Sequence, residues 1–211
     1  MARAVRTWLT RRRLAGVLIA AVALAIAPIA VTAASGATTA PPAHHPHFHP
    51  FTLLSPDFRD GQFLPVSAEF GGPGSAGSGC SGENQAPAFF WFNVPTGTKG
   101  FAFTVFDVDA PVAGGFHHWI VYNIPRRVTF LAGHGHNPFS EGTNDYPTVG
   151  YGGPCPPYDG QIHHYVFTVY ALSASHIKGV HLTYAQLITA IAPYVVGATS
   201  IIGKFRLPLT H

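Results

Sequence analysis

Short apolar segments separated by turn residues constrain the fold of this chain more than any other feature of its sequence. Five segments have the length of β-strands, and they span residues 89–94, 101–107, 118–123, 163–171 and 200–206. Glycine and proline lie between them, most densely over residues 150–160. Such residues favour tight turns, and short connections favour antiparallel neighbours. The pattern therefore predicts a mostly antiparallel β domain.

Helices contribute little to this prediction, because the 211 residues include 23 glycines and 19 prolines. Both residue types destabilise helix interiors, which excludes a coiled coil or a long helical bundle. One helix is nevertheless predicted late in the chain, over residues 183–194, with Thr183 as its cap. Its apolar residues at helical spacing are Leu187, Ile188 and Ile191.

The first 34 residues have the plan of a secretory signal peptide. Five arginines lie within the first thirteen positions, and an uncharged run of 18 residues, 14–31, follows them. Small residues come next, and cleavage near Ala33 or Ala34 is expected. The same run is just long enough to span a bilayer, so an uncleaved membrane anchor is the alternative. The sequence predicts a secreted or cell-surface protein, exported by either the general or the twin-arginine route.

Residues 35–50 form a proline- and histidine-rich linker, and residues 51–211 have the length of one folded domain. The linker contains four histidines, namely His44, His45, His47 and His49. They either bind a metal ion or belong to a solvated tail that takes up metal only weakly.

The charge of the folded part argues against a nucleic-acid partner. From residue 35 onward the chain has seven Lys and Arg residues against nine Asp and Glu, a net charge of −2. The formal charge of +3 for the whole chain comes from the arginines near its start. The folded part has no basic stripe, so binding of DNA or RNA is excluded as its function.

Cys80 and Cys155 are the two cysteines of the chain. An even pair in an exported protein favours one disulfide, which would join residues 75 positions apart. Two free buried thiols are the alternative. In that case Cys155 would be a candidate thiolate nucleophile, which a disulfide would silence.

Two carboxylates close the second predicted strand. Asp107 and Asp109 are two positions apart, so they share a face if the strand continues. The alternative is a turn before Pro111 in which an aspartate side chain accepts from the backbone.

Two histidine pairs open the next two long strands. Strict alternation places His118 on one face with Ile120 and Tyr122. In the same way His163 shares a face with Tyr165. Three strand ends can thus bring imidazoles, carboxylates and a phenol together, and this combination suits a small anionic or polar ligand. The glycines of residues 151–157 would let such a ligand approach the backbone closely.

Four ordered motifs resemble the phosphatidylethanolamine-binding protein family, also called the Raf kinase inhibitor protein family, in its bacterial branch. They read DVDAP at 107–111, HHW at 117–119, GPCPP at 153–157 and HHY at 163–165. The runs CSGEN at 80–84, NDY at 144–146 and GKF at 203–205 add to the resemblance, which covers roughly residues 51–207. It implies an antiparallel central sheet, a second small sheet and a few peripheral helices.

The resemblance also implies a pocket for phosphate or phosphorylated head groups. The positions that carry over are Asp107, Asp109, Pro111, His118, Gly153, His163 and Tyr165, with Phe116 as an aromatic wall. Two positions depart from the family pattern. Val108 replaces a proline, and His164 replaces an arginine, so we expect the loss of an ion pair that supports the aspartates.

The sequence thus favours a ligand-binding protein that needs neither a cofactor nor a metal ion. The expected partner is a small anionic ligand or a phospholipid head group, with association with a membrane surface as an option. Neither a G-x-S-x-G nor an H-E-x-x-H motif occurs. Two other functions stay open: inhibition of a protein partner such as a protease, and metal-assisted hydrolysis by Asp107, Asp109, His118 and His163.

Overall fold

The structure is a computed structural model that describes residues 49–71, 79–131 and 138–208. The predicted signal peptide and most of the predicted linker, including His44, His45 and His47, lie outside the described residues. His49 is described, and it is exposed. All described residues belong to one unit of the chain, His47–His211.

Nine strands and one α-helix make up the described residues. They are β1 (Thr52–Leu54), β2 (Gln62–Phe63), β3 (Phe89–Phe92), β4 (Gly100–Asp107), β5 (Phe116–Pro125), β6 (Phe130–Leu131), β7 (Ser140–Glu141), β8 (His163–Leu172), α1 (Tyr184–Ile191) and β9 (Val195–Phe205). Short 3₁₀ turns cover Val66–Ala68 and Ala192–Tyr194.

The strands form two sheets. The large sheet has the order β2–β9–β8–β4–β5–β7, and all its neighbours are antiparallel except β2 and β9. The small sheet has the antiparallel order β1–β3–β6. The predicted fold class is confirmed: a mostly β domain with a central antiparallel sheet, a second small sheet and little helix.

The main core lies between the two sheets. Phe89 of the small sheet contacts Phe103 and Phe167 of the large sheet, with ring centroids 4.8 and 4.9 Å apart. β4 is buried along almost its whole length, because it lies in the middle of the large sheet and is covered on both faces. Its continuous apolar run therefore has the pattern expected of a central strand.

Helix α1 covers the opposite face of the large sheet. Thr183 and Gln186 form a reciprocal cap, since each side chain accepts a hydrogen bond from the other's backbone amide. Leu187 and Ile191 are buried against the sheet, as the helical spacing predicted. The α-helix ends at Ile191, and its predicted last turn is 3₁₀. No helix within the described ranges combines the length and the apolar character needed to cross a bilayer.

The five predicted strands are all present, but their ends differ from the prediction. β9 begins at Val195 rather than at residue 200, and its first half is largely exposed. The sequence there contains Gly197 and Ala198, which carry little strand signal. The short strands β1, β2, β6 and β7 were not predicted, because two or three residues show no periodicity.

A bulge in β5 overturns the predicted faces of that strand. Val105 of β4 is paired with Trp119, whereas Phe106 is paired with His117, so His118 is an extra residue without a partner. A bulge of this kind places two consecutive side chains on the same side of the sheet. The expectation that His118 shares a face with Ile120 and Tyr122 is therefore wrong.

Candidate functional site

A cavity of about 300 Å³ lies where three strands of the large sheet reach the same edge. Antiparallel pairing places the end of β4 beside the beginnings of β5 and β8, so that Asp107 is opposite both Phe116 and Tyr165. Six of the predicted site residues line the cavity: Asp107, Pro111, Phe116, His118, His163 and Tyr165. The other two, Asp109 and Gly153, do not line it.

A buried hydrogen bond between His163 and Asp107 forms part of the cavity wall. Nδ1 of His163 lies 2.7 Å from Oδ2 of Asp107, and the two residues are 4% and 3% exposed. The other carboxylate oxygen accepts from the amide of Asp109 at 2.9 Å. Asp107 therefore forms the predicted alternative, an aspartate turn, and contributes to the cavity at the same time.

His118 reaches the cavity because the bulge turns it away from helix α1. Its Nδ1 lies 2.7 Å from the carbonyl oxygen of Gly152, and its ring centroid lies 4.9 Å from Phe116 and 5.1 Å from Tyr165. Burial lowers the pKa of His118 to about 4, although the Gly152 carbonyl and the charge of Asp107 act in the opposite direction. His118 is therefore uncharged at neutral pH.

Two buried polar atoms of the cavity have no hydrogen-bond partner within the described part of the chain: Nε2 of His118 and the hydroxyl oxygen of Tyr165. Burial, reinforced by the charge of Asp107, raises the pKa of the Tyr165 hydroxyl far above its ordinary value, so the phenol stays protonated. Buried polar groups are normally hydrogen-bonded. These two atoms are thus available for hydrogen bonds with a polar ligand.

Tyr146 is a cavity residue that the sequence did not single out as a site residue. Its ring lies 4.7 Å from that of Phe116, and its hydroxyl donates to the carbonyl of Gly153 at 3.0 Å. The buried side chain of Asn144 accepts from the amide of Tyr146 and thereby shapes this loop. A usable signal is present in the sequence, since a turn-forming asparagine precedes the aromatic residue by two positions.

Gly153 is required by close packing of the backbone. A Cβ atom at this position would lie 2.0 Å from the carbonyl oxygen of Ala68. Its amide donates to Oδ1 of Asn84 at 2.8 Å, so this N–H is not directed at the cavity. The contacts of Gly153 therefore do not support the expectation that a ligand approaches its backbone.

Cys80 and Cys155 form a disulfide, as predicted, so neither is a free thiol. Cys155 lines the cavity together with Pro156 and Pro157. The bond ties this part of the cavity wall to the segment that contains Cys80. A disulfide sulfur is not a thiolate, so Cys155 does not provide the nucleophile that free cysteines would have allowed.

Asp109 faces outward and forms a second histidine–aspartate pair. Its Oδ2 accepts from both the backbone amide and Nδ1 of His164, each at 2.7 Å. Partial burial would raise the pKa of Asp109, but these hydrogen bonds lower it below its ordinary value. His164 therefore gives Asp109 a hydrogen-bond partner at the position where the family pattern has an arginine. Val108 adds an amide that donates to the carbonyl of His164, which a proline lacks.

The side chains considered for metal-assisted hydrolysis do not assemble as one donor set. Asp107 and His163 are bonded to each other, and Asp109 is engaged by His164 outside the cavity. Across the described ranges, no group of three or more His, Cys, Asp or Glu side chains is arranged to hold a metal ion.

Comparison with known proteins agrees with the fold and the motifs. The family model described as phosphatidylethanolamine-binding protein matches residues 54–206. Protein YbcL of Escherichia coli (strain K12) is 41% identical over 135 residues, which cover 60% of this chain and 71% of YbcL. LppC of Mycobacterium tuberculosis (strain H37Rv), named as a candidate lipoprotein, is 34% identical over 166 residues, which cover 76% of this chain and 75% of LppC.

Solved structures of bacterial relatives resemble this one. The crystal structure of E. coli YbcL, whose description places it in the mammalian PEBP family, has a TM-score of 0.68 at 34% identity. The match covers 74% of this chain and 98% of YbcL. The homologue CT736 of Chlamydia trachomatis has a TM-score of 0.65 at 28% identity, with 74% of this chain and 97% of that one covered.

Proposed function

The chain belongs to the phosphatidylethanolamine-binding protein family, and from this premise we propose that its cavity binds small phosphorylated molecules. Inorganic phosphate and phosphorylated head groups derived from phospholipids are the expected class, and they are bound without chemical change. The observation that carries the proposal is the convergence of two imidazoles, a carboxylate and a phenol on one cavity: His118, His163, Asp107 and Tyr165.

The size and composition of the cavity support this assignment. Its volume of about 300 Å³ is at the small end of the range for ligand sites, which suits a phosphate with a short organic substituent. Phe116, Tyr146 and Pro157 give it a largely apolar wall. A few polar groups in an apolar cavity fix the orientation of a ligand, which a binding protein requires. Cys155 provides no thiolate nucleophile for covalent catalysis, because it is held in a disulfide.

Titration of the full chain with O-phosphorylethanolamine and with inorganic phosphate tests the proposal. Histidine ring resonances report binding, and ethanolamine serves as the ligand control without phosphate. Loss of one imidazole hydrogen bond to a charged ligand costs about 1.5–3 kcal/mol, so His118→Ala and His163→Ala should weaken binding by about 10- to 100-fold. Wild-type affinity in both variants would show that the cavity is not the binding site.

Two further variants make this test independent of folding defects. Tyr165→Phe removes only the hydroxyl and preserves the packing of the ring, so we expect a folded protein with weaker binding. His164→Ala removes an imidazole outside the cavity and should leave the affinity unchanged. Circular dichroism of each variant establishes that it is folded.

Export to the cell surface or beyond is part of the proposal. It is supported by the arginine-rich start, the apolar run and the small residues that follow it, and by the name of the relative LppC. Cell fractionation with N-terminal sequencing tests it, and we expect a mature chain that begins near residue 34. A full-length chain in the cytoplasm would overturn this part of the proposal.

A further inference from the structure

The side chains that line the cavity offer few hydrogen-bond donors to a ligand, because the hydroxyls of Tyr146 and Tyr158 already donate to backbone carbonyls. Among its described lining residues none is a lysine or an arginine. The carboxylate of Asp107 only accepts, and it contributes a negative charge. A phosphate dianion also only accepts, so it finds few side-chain donors in this wall.

The hydrogen bond of His118 to Gly152 decides which of its ring nitrogens carries the proton. A carbonyl oxygen cannot donate, so Nδ1 must hold the proton in this bond of 2.7 Å. In the uncharged ring, Nε2 is then a bare lone pair. This is the buried atom that has no partner in the described part of the chain. Nε2 therefore accepts from a ligand that brings a proton.

His163 has the same arrangement. Its Nδ1 holds a proton towards the carboxylate of Asp107 at 2.7 Å. Its Nε2 is thus a donor only when the ring takes up a second proton. Among the lining side chains, the hydroxyl of Tyr165 is the remaining group that can donate to a ligand without first gaining a proton.

The surroundings of His118 do not change this pattern. Its titratable neighbours come from β4, β8 and two loops, and they are Asp107, His163, Tyr165, Asp145, Tyr146 and Tyr158. Asp145 is engaged by His117 on the other side of β5. The list contains carboxylates, phenols and one imidazole, and it contains no permanent cation.

Building on the proposed phosphate-binding function, we propose that the cavity takes its ligand together with a proton. One proton from solvent is shared between Nε2 of His118 and an oxygen of the phosphate, so a site without lysine or arginine holds an anion. Apart from this protonation no covalent bond forms or breaks, and release of the ligand returns the proton to solvent. The site therefore selects phosphate monoesters, which can carry a proton, over sulfate esters of similar shape, which cannot.

The size of the effect follows from linkage. The dianion of a phosphate monoester takes up one proton near pH 6, so above that pH the free ligand is mostly a dianion and binding takes up about one proton. Affinity then falls about tenfold for each unit of pH increase. Below about pH 6 the ligand brings its own proton, and the affinity becomes nearly independent of pH.

Isothermal titration calorimetry of the full chain with O-phosphorylethanolamine measures this uptake. Titrations at about pH 7.5 and pH 5, each in two buffers of different ionisation enthalpy, give the number of protons taken up. We expect about one proton at the higher pH and nearly none at the lower. Binding with no uptake at the higher pH overturns this inference and leaves the proposed function intact. Absence of binding at both pH values overturns the proposed function itself.

Methyl sulfate tests the selection. At about pH 5 methyl phosphate carries a proton and methyl sulfate, which has a similar shape, does not, so we expect methyl sulfate to bind at least about tenfold more weakly than methyl phosphate. Equal affinities for the two ligands at this pH would overturn the inference.

A matched pair of variants locates the proton. His118→Gln should reduce the uptake from about one to nearly zero and flatten the pH dependence, whereas His164→Gln, outside the cavity, should change neither. Full uptake in His118→Gln would assign the proton elsewhere. Long-range ¹H–¹⁵N spectra of the wild-type chain need no variant. We expect an unprotonated Nε2 in the free protein, and a proton on Nε2 of the free protein would overturn the inference.

Discussion

Two histidine–aspartate pairs of nearly equal geometry lie on opposite sides of the same strand end. In both, Nδ1 is 2.7 Å from an Oδ2 atom, and the two histidines, His163 and His164, are neighbours in the chain. The side chains of His163 and Asp107 are 5% and 4% exposed, whereas those of His164 and Asp109 are 42% and 41% exposed. The two hydrogen bonds therefore differ in their environment and hardly at all in their geometry.

This comparison indicates that burial, rather than hydrogen-bond geometry, determines how strongly such a pair affects stability and ligand binding. A charged pair at the surface is screened by water and contributes about 0–1 kcal/mol to folding. A buried pair contributes little when it is intact, but its disruption leaves an unsatisfied group in an apolar environment. The inner pair is accordingly the one whose proton and charge can matter to a ligand. The predictions below test this contrast.

Removal of the inner imidazole should have the largest effect. His163→Ala leaves the buried carboxylate of Asp107 without its partner, and loss of a buried partner typically costs about 3–5 kcal/mol of unfolding free energy. Urea unfolding at neutral pH measures it. A loss below about 1 kcal/mol would mean that the inner pair behaves like a surface pair.

Loss of the disulfide should come next, and it should affect both the stability of the domain and the cavity. Reduction of the Cys80–Cys155 disulfide removes a cross-link between residues 75 positions apart. The chain-entropy model gives a loss of about 4 kcal/mol in unfolding free energy. Because Cys155 lines the cavity, we also expect weaker binding of O-phosphorylethanolamine. Unfolding and titration with and without reductant measure both effects, and the double variant Cys80→Ser, Cys155→Ser is the control for the reductant. Unchanged affinity after reduction would show that the bond does not support the cavity wall.

Acidification should destabilise the protein through His118. Burial lowers its pKa to about 4 in the folded chain, against 6.5 for an ordinary histidine, so between these values only the unfolded chain takes up the proton. This contribution to stability is fully present above about pH 6.5 and is lost as the pH falls towards 4, by about 3 kcal/mol in total. Urea unfolding between pH 7 and 4.5 should show a smaller loss for His118→Gln than for wild type. Equal losses would mean that His118 titrates alike in both states.

Removal of the outer imidazole should have the smallest effect. His164→Ala breaks an exposed pair, so we expect a change of about 0–1 kcal/mol in unfolding free energy and none in ligand affinity. The same urea and titration experiments measure it beside His163→Ala. If the two variants lose equal stability, burial is not what separates the pairs.

The sequence allowed part of the site to be predicted from periodicity alone. Alternation along β8 correctly placed His163 with Tyr165 and turned His164 away, because that strand pairs with β4 without a shift. The same rule does not apply to Asp109, because the strand ends at Asp107 and the chain forms the turn that was the alternative. It failed for His118, because a bulge depends on the register of two strands, and a single strand carries no sign of it.

The fold likewise has local features that the sequence predicts and features that depend on residues distant in the chain. The cap at Thr183 and the apolar spacing of α1 are local, so the sequence predicted them correctly. The strands β2 and β7 have two residues each and exist only through their partners β9 and β5. Position 153 requires glycine because the backbone of Ala68, 85 positions away in the chain, packs against it. No local sequence pattern contains this information.

The bulge at His118 makes this scaffold sensitive to insertions and deletions in a way that substitutions do not reveal. Ten residues of β5 lie along eight residues of β4, and two register shifts absorb the excess. Deletion of one residue between Phe116 and Trp119 would let the hairpin pair without the second shift and would remove the extra inward-facing position that His118 now occupies beside Trp119. Anyone who redesigns the ligand preference of this protein must therefore conserve the residue count of that segment before choosing new side chains for it.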